Sequence, residues 1–165
     1  MRLRLVLVMT IVAVMAFGGV ALARHGGSSA RAEFEAQLRG RNEVPEPVNT
    51  RTRGEAEFVV EDGEIHYELE IKRAENILGA AGAHIHCAPE GQNGPVVVFL
   101  AGPIAGGLDG TVEIQGTLDV DNIVDPSCGT TIEELVQAMK DGRTYVNAHS
   151  TQNPNGEVRG QIEKD

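Results

Sequence analysis

The sequence predicts an all-β fold, an antiparallel sandwich or barrel with one short helix at about 131–140. Two observations carry this. Apolar and polar residues alternate with a period of two in short runs separated by turn-rich segments, and one segment alone switches to a period of 3.6. The 165 residues suit a single domain. With 4% aromatic residues and no tryptophan, the core has to be built mainly from Val, Ile, Leu and Ala.

The elements follow in order. Met1-Arg2-Leu3-Arg4 is basic, Leu5 to Val20 is almost uninterruptedly apolar, and Ala21-Leu22-Ala23 supplies the small residues of a cleavage site after Ala23. The apolar run is 16 residues long and broken by Gly18-Gly19, short of the about 20 that an uncleaved membrane anchor needs. Residues 1–23 therefore read as a signal peptide, 24–31 as a flexible linker and 32–165 as the domain, with no membrane span after cleavage. The expected location is secreted, periplasmic or cell-envelope.

Phe34, Ala36 and Leu38 alternate with Glu33, Glu35 and Gln37, and Ala56, Phe58 and Val60 with Glu55 and Glu57. Ile65, Tyr67, Leu69 and Ile71 alternate with His66, Glu68, Glu70 and Lys72, and Glu61-Asp62-Gly63-Glu64 carries the Asp-Gly signature of a tight hairpin. Further strands are expected at 81–87, 95–101, 109–118, 143–149 and 156–163. In the segment 131–140 the apolar residues fall at 132, 135, 136 and 139, the helical period. Thr130 with Glu133 reads as its capping box, Lys140 suits the C-terminal dipole and Gly142 can end it.

Charge and cysteines narrow the function classes. The formal charge is −10, and cleavage after Ala23 would leave 12 basic against 24 acidic residues, −12. Such a chain repels the phosphates of nucleic acid and the surface of an anionic membrane. Cys87 and Cys128 are the two cysteines. In an oxidising compartment they have one possible pairing, a cross-link worth about 4 kcal/mol by chain entropy. The competing use of Cys87, next to His86, is as a thiolate metal ligand.

Five motifs occur in order: Asn42-Glu43-Val44-Pro45; Ala83-His84-Ile85-His86-Cys87; Asn93-Gly94-Pro95-Val96-Val97-Val98; Gly142 to His149, read GRTYVNAH; and Gly156 to Ile162, read GEVRGQI. From about Phe34 to Ile162 the series resembles the CHRD domain, the module repeated in chordin and found singly in exported bacterial proteins. The resemblance implies an immunoglobulin-like or superoxide-dismutase-like β-barrel outside the cytoplasm. Chordin's growth-factor-binding cysteine-rich repeats have no counterpart here, so that activity does not carry over. Ala148 departs from the pattern, which commonly has a larger aliphatic residue there.

The same motifs have a reading from the residues alone. On a strand His84 and His86 share one face, and with Ile85 toward the core both imidazoles point away from it. Val146 and Ala148 as core residues put Tyr145, Asn147 and His149 on the outer face. His84, His86 and His149 are enough for one copper or zinc ion if the strands bring them together. Otherwise the His-Ile-His pair is held by loops and His149 caps the turn before Pro154. Binding needs neutral imidazoles, so it should weaken as pH falls through about 6.5. Glu43, Asn147 and Glu157 are positioned to fix the rings, while Glu157 and Arg159, on one strand face, suggest an ion pair or hydrogen bonds that hold a loop. A His-x-His on a barrel is also how copper/zinc superoxide dismutases hold copper, and Gly156 to Gly160 resembles their glycine-flanked arginine.

Other candidates are blander. His25 lies in the linker and His66 among outward residues. Gly102 to Gly110 has no following helix or Lys-Ser/Thr, so it is no phosphate loop. Ser28, Ser29, Ser127 and Ser150 offer no nucleophile, since only Ser150 neighbours a His and adjacent strand residues face apart. Three readings remain: a non-enzymatic exported module for an extracytoplasmic protein or ligand, a copper or zinc binder, and a dismutase-like redox enzyme. The last is weakest, lacking a bridging His and an Asp ligand near the His-Ile-His run.

Overall fold

The computed structural model describes residues 31–165; the expected signal peptide and all of the linker but Arg31 lie outside the described residues. Nine strands form one antiparallel sheet around the core: β1 (Ala32–Arg39), β2 (Arg53–Glu61), β3 (Glu64–Ile77), β4 (Ala83–Cys87), β5 (Val96–Ala101), β6 (Leu108–Leu118), β7 (Thr144–Ala148), β8 (Val158–Gln161) and β9 (Glu163–Lys164). The helix, α1 (Ile132–Lys140), lies between β6 and β7. The strand order is β5-β4-β7-β8-β1-β2-β3-β6, with β9 beside β1. After β6 the chain returns to the opposite edge, where Ile123 bridges Val98 and Val124 N–H donates to Val97 O at 2.9 Å. Tyr67 Oη spans the same gap to Leu100 O at 2.6 Å. The sheet is thereby a nearly closed barrel, the predicted class.

Alternation decides which side chains enter it. Phe34, Ala36, Leu38, Ala56, Phe58, Ile65, Leu69 and Ile71 fill one half, Ala83, Ile85, Val146, Ala148 and Val158 the other. The β2–β3 hairpin turns at Asp62-Gly63 with φ of 52° and 86°, the two positive values of a type I′ turn. Strand β3 runs on to Ile77 through two register shifts, with φ positive at Arg73 and Asn76, an irregularity that a strict period of two does not predict. The expected strand 156–163 is two, because Val158–Gln161 pairs with β7 while Glu163 and Lys164 pair with β1.

The helix buries Ile132, Leu135, Val136, Ala138 and Met139. Its cap sits one residue later than Thr130/Glu133. Thr131, in extended backbone, accepts from Glu134 N–H at 3.2 Å, and the Glu134 carboxylate accepts from Thr130 N–H at 2.7 Å. Gly142 N–H to Met139 O and Arg143 N–H to Ala138 O close the other end as a Schellman motif. Cys87 and Cys128 form a disulfide with Cα atoms 5.6 Å apart, tying the end of β4 to the turn that leads into the helix. Cys87 is therefore no thiolate ligand. No helix of the described residues is long and apolar enough to cross a membrane.

Candidate metal centre

Strands β4, β7 and β8 are neighbours, and their register stacks the outward residues in rows: His84 opposite Asn147 opposite Arg159, and His86 opposite Tyr145 opposite Gln161. His149 follows β7 directly, with its N–H on Gly82 O and its carbonyl taking Leu78 N–H. This outer face is not solvated. Three loops, around residues 43–50, 89–95 and 150–157, fold over it, so His84 is 3% and His149 7% exposed.

The cover is fastened by the residues that the sequence offered as supports. Asn147 Nδ2 donates to Glu43 Oε1 at 2.7 Å. Glu157 accepts from the hydroxyls of Thr50 and Ser150 and from the Asn153 amide. Arg159 donates to Gln92 O at 2.6 Å and Asn93 Oδ1 at 2.9 Å and lies 3.5 Å over the Tyr145 ring. Glu157 and Arg159 form no ion pair; each reaches a different loop. None of Glu43, Asn147 and Glu157 takes an imidazole hydrogen bond, a role filled instead by backbone carbonyls.

Those carbonyls set the tautomers. A carbonyl only accepts, so His86 Nδ1, 2.9 Å from Gly94 O, and His149 Nδ1, 3.0 Å from Pro154 O, carry the protons, and each neutral ring presents Nε2 as a lone pair. His86 Nε2 is buried with no hydrogen-bond partner. His149 Nε2 accepts a 3.3 Å hydrogen bond from His84 Nδ1–H, a proton that has to leave Nδ1 if that nitrogen is to ligate. One nitrogen from each ring falls within 4.8 Å of the others. Donors about 2.0–2.1 Å from a tetrahedral ion lie about 3.3 Å from each other, the spacing His84 and His149 already have. The group can hold a metal ion.

Burial favours the neutral, ligating form of all three. It pushes the His84 pKa down to about 4, with the neighbouring His149 and His86 adding to the effect and the Ala81 backbone opposing it. His86 and His149 are lowered as well, chiefly by burial, against the carbonyls of Gly94 and Pro154. Proton competition therefore sets in below the pH of about 6.5 that unperturbed rings imply. Nearby, burial raises Glu43 to about 7 despite the Arg159 charge and the Asn147 hydrogen bond. At Glu157 burial works upward too, but its hydroxyl and amide donors outweigh it and the carboxyl ends below its usual value.

Two contributors have roles that sequence reasoning did not assign. Tyr145 stacks on His86 with centroids 4.7 Å apart and planes 7° from parallel, so the Arg159 guanidinium, the phenol and the imidazole form one column. Alternation puts Tyr145 on this face but not which ring it meets. Phe99, 50% exposed on β5, packs T-shaped against His84 with ring centroids 4.7 Å apart; an exposed aromatic was the available signal. His66 lies elsewhere, hydrogen-bonded to Thr117.

No curated protein and no solved structure matches the chain. The family profile of the CHRD domain matches residues 34–162, which takes in most of β1, all of β2 to β8 and the three histidines of the group, and the chain belongs to the CHRD domain family.

Proposed function

We propose that this is a non-enzymatic exported CHRD module that carries one copper or zinc ion on His84, His86 and His149. The observation that carries the reading is His86 Nε2, a buried lone pair without a donor. A buried polar atom left unpaired costs roughly 1–3 kcal/mol, and its neighbours at the site are two more imidazole nitrogens. An ion would satisfy His86 Nε2 and replace the hydrogen bond between His84 and His149. Export is supported by the basic start, apolar run and Ala-Leu-Ala site, and by the disulfide, which suits an oxidising compartment. A two-metal dismutase-type centre would need further ligands, and His66, the remaining histidine among the described residues, is elsewhere, on Thr117.

Titration of the purified protein with copper and with zinc, against a His84→Ala/His86→Ala variant, tests the reading. The wild type should bind one equivalent and the variant at least about 100-fold more weakly, since a lone imidazole is too few ligands to hold an ion. Equal, weak binding by both would leave the imidazoles as structural hydrogen-bonding groups. Binding should also persist below pH 6.5, because the imidazoles resist protonation.

A further inference from the structure

The charge surrounding the three nitrogens is as informative as their geometry. The ligand group consists of imidazoles alone, without carboxylate or thiolate. Cys87 is in the disulfide, Glu43 is bonded to Asn147, and Glu157 is bonded to Thr50, Ser150 and Asn153. The ring protons of His86 and His149 go to uncharged carbonyls, Gly94 O and Pro154 O. Carboxylates in those places would make the rings more basic and lend them negative charge; carbonyls do so far less. The full charge stacked behind His86 is positive, the Arg159 guanidinium on the far side of Tyr145. On another side the His84 ring packs T-shaped against the uncharged Phe99 ring.

An ion entering this site loses water and gains no anionic partner. The cost of burying an ion grows with the square of its charge, so a divalent ion is penalised about four times as heavily as a monovalent one. Zinc also prefers four donors and cupric copper a tetragonal set, whereas three nitrogens converge here. We propose that the site selects copper in its cuprous state, Cu(I), over Cu(II) and Zn(II). This rests on the reading of the three histidines as ligands and goes beyond it by fixing the ion's charge.

The test is a set of competition titrations of the disulfide-intact protein. Cu(I) is presented anaerobically with ascorbate and a chromophoric cuprous chelator; ascorbate keeps copper reduced without the thiols that would attack the disulfide. Cu(II) and Zn(II) are presented separately with chelators of their own. Cu(I) should bind at least about 100-fold more tightly than either, which for copper raises the midpoint potential by about 120 mV over the unbound couple. Phe99→Glu then places a carboxylate beside His84 at a half-exposed position where folding tolerates it. Its Zn(II) affinity should rise about tenfold relative to its Cu(I) affinity, as a partly shielded charge pair allows.

Divalent ions bound as tightly as Cu(I) by the wild type would overturn the selection while leaving the three-histidine site intact. An unchanged ratio in Phe99→Glu would overturn its electrostatic basis. Failure of the wild type to bind any ion better than His84→Ala/His86→Ala would overturn the site itself, and the selection with it.

Discussion

The two outer faces of the barrel follow the same alternation and have opposite fates. On β1, β2, β3 and β6 the outward residues include glutamates in cross-strand rows, Glu35 opposite Glu57 opposite Glu68, and Glu55 opposite Glu70 opposite Glu113. They stand toward water with little pairing beyond Lys72 to Glu70 and Gln37 to Glu55. On β4, β7 and β8 the outward residues are also polar, but three loops cover them, and the consequence is a set of lowered imidazole pKa values, a raised carboxyl and a buried lone pair. Polar outward residues on a strand are therefore not evidence of solvation. What decides is whether the connections at the end of the barrel fold back over them.

Ways to break that contrast differ in size. The largest effect is expected at Gly94, in the cover itself. A Cβ there would lie 1.9 Å from Cys87 O, and since backbone cannot step aside, Gly94→Ala should cost about 3 kcal/mol or more and displace the carbonyl that orients His86. The control is Gly63 in the β2–β3 hairpin, where a Cβ meets nothing within 4 Å at φ of 86°; Gly63→Ala should cost only about 1 kcal/mol of backbone strain. Urea unfolding of the two variants measures the gap, and equal costs would mean that the loop is not held as described.

Next in size is the buried carboxyl. A folded-state pKa raised from 4.5 to about 7 means that the native protein holds the Glu43 proton more tightly than the unfolded chain does. The sign follows from this: the contribution is fully present below about pH 4.5 and is lost as pH rises through about 7. Glu43→Gln keeps an acceptor for Asn147 and removes the titration, so it should gain about 2–3 kcal/mol on the wild type between pH 5 and pH 8. A constant difference across that range would show Glu43 to be ionised and solvated. The three histidines act in the opposite sense in both proteins: with pKa values below the unfolded value, their contribution is lost as pH falls beneath 6.5, and it cancels in the comparison.

The smallest effect belongs to the glutamate face. Glu57→Lys puts a cation between Glu35 and Glu68 and should stabilise by about 0.5 kcal/mol at low salt, fading as salt screens it. A loss of stability would indicate that this face is covered after all.

Much of the barrel was legible because its cause is local. Phe34, Ala36 and Leu38 against Glu33, Glu35 and Gln37 declare a strand and its inner face without reference to anything distant, and the Asp62-Gly63 turn needs only its own two residues. The period also placed His84, His86, Tyr145 and Asn147 on one side of their strands. The cover was not legible, because the contacts that bring its loops together join residues far apart in the chain, such as Asn147 to Glu43 and Arg159 to Gln92. The supports misassigned from sequence failed for a related reason. Side chains with the right chemistry, Glu43 and Glu157, were in reach by position, but backbone carbonyls of Gly94 and Pro154 took the imidazole protons, and a sequence does not display where its carbonyls point.

The central claim is that His84, His86 and His149 together hold one ion, and X-ray absorption at the metal edge of protein loaded with one equivalent of copper tests it most directly. The account predicts a shell of three imidazole nitrogens about 2.0 Å from the metal, with the outer-shell scattering of the rings, lost in the His84→Ala/His86→Ala variant. A shell of oxygen donors, or a spectrum unchanged by removing the two histidines, would contradict it.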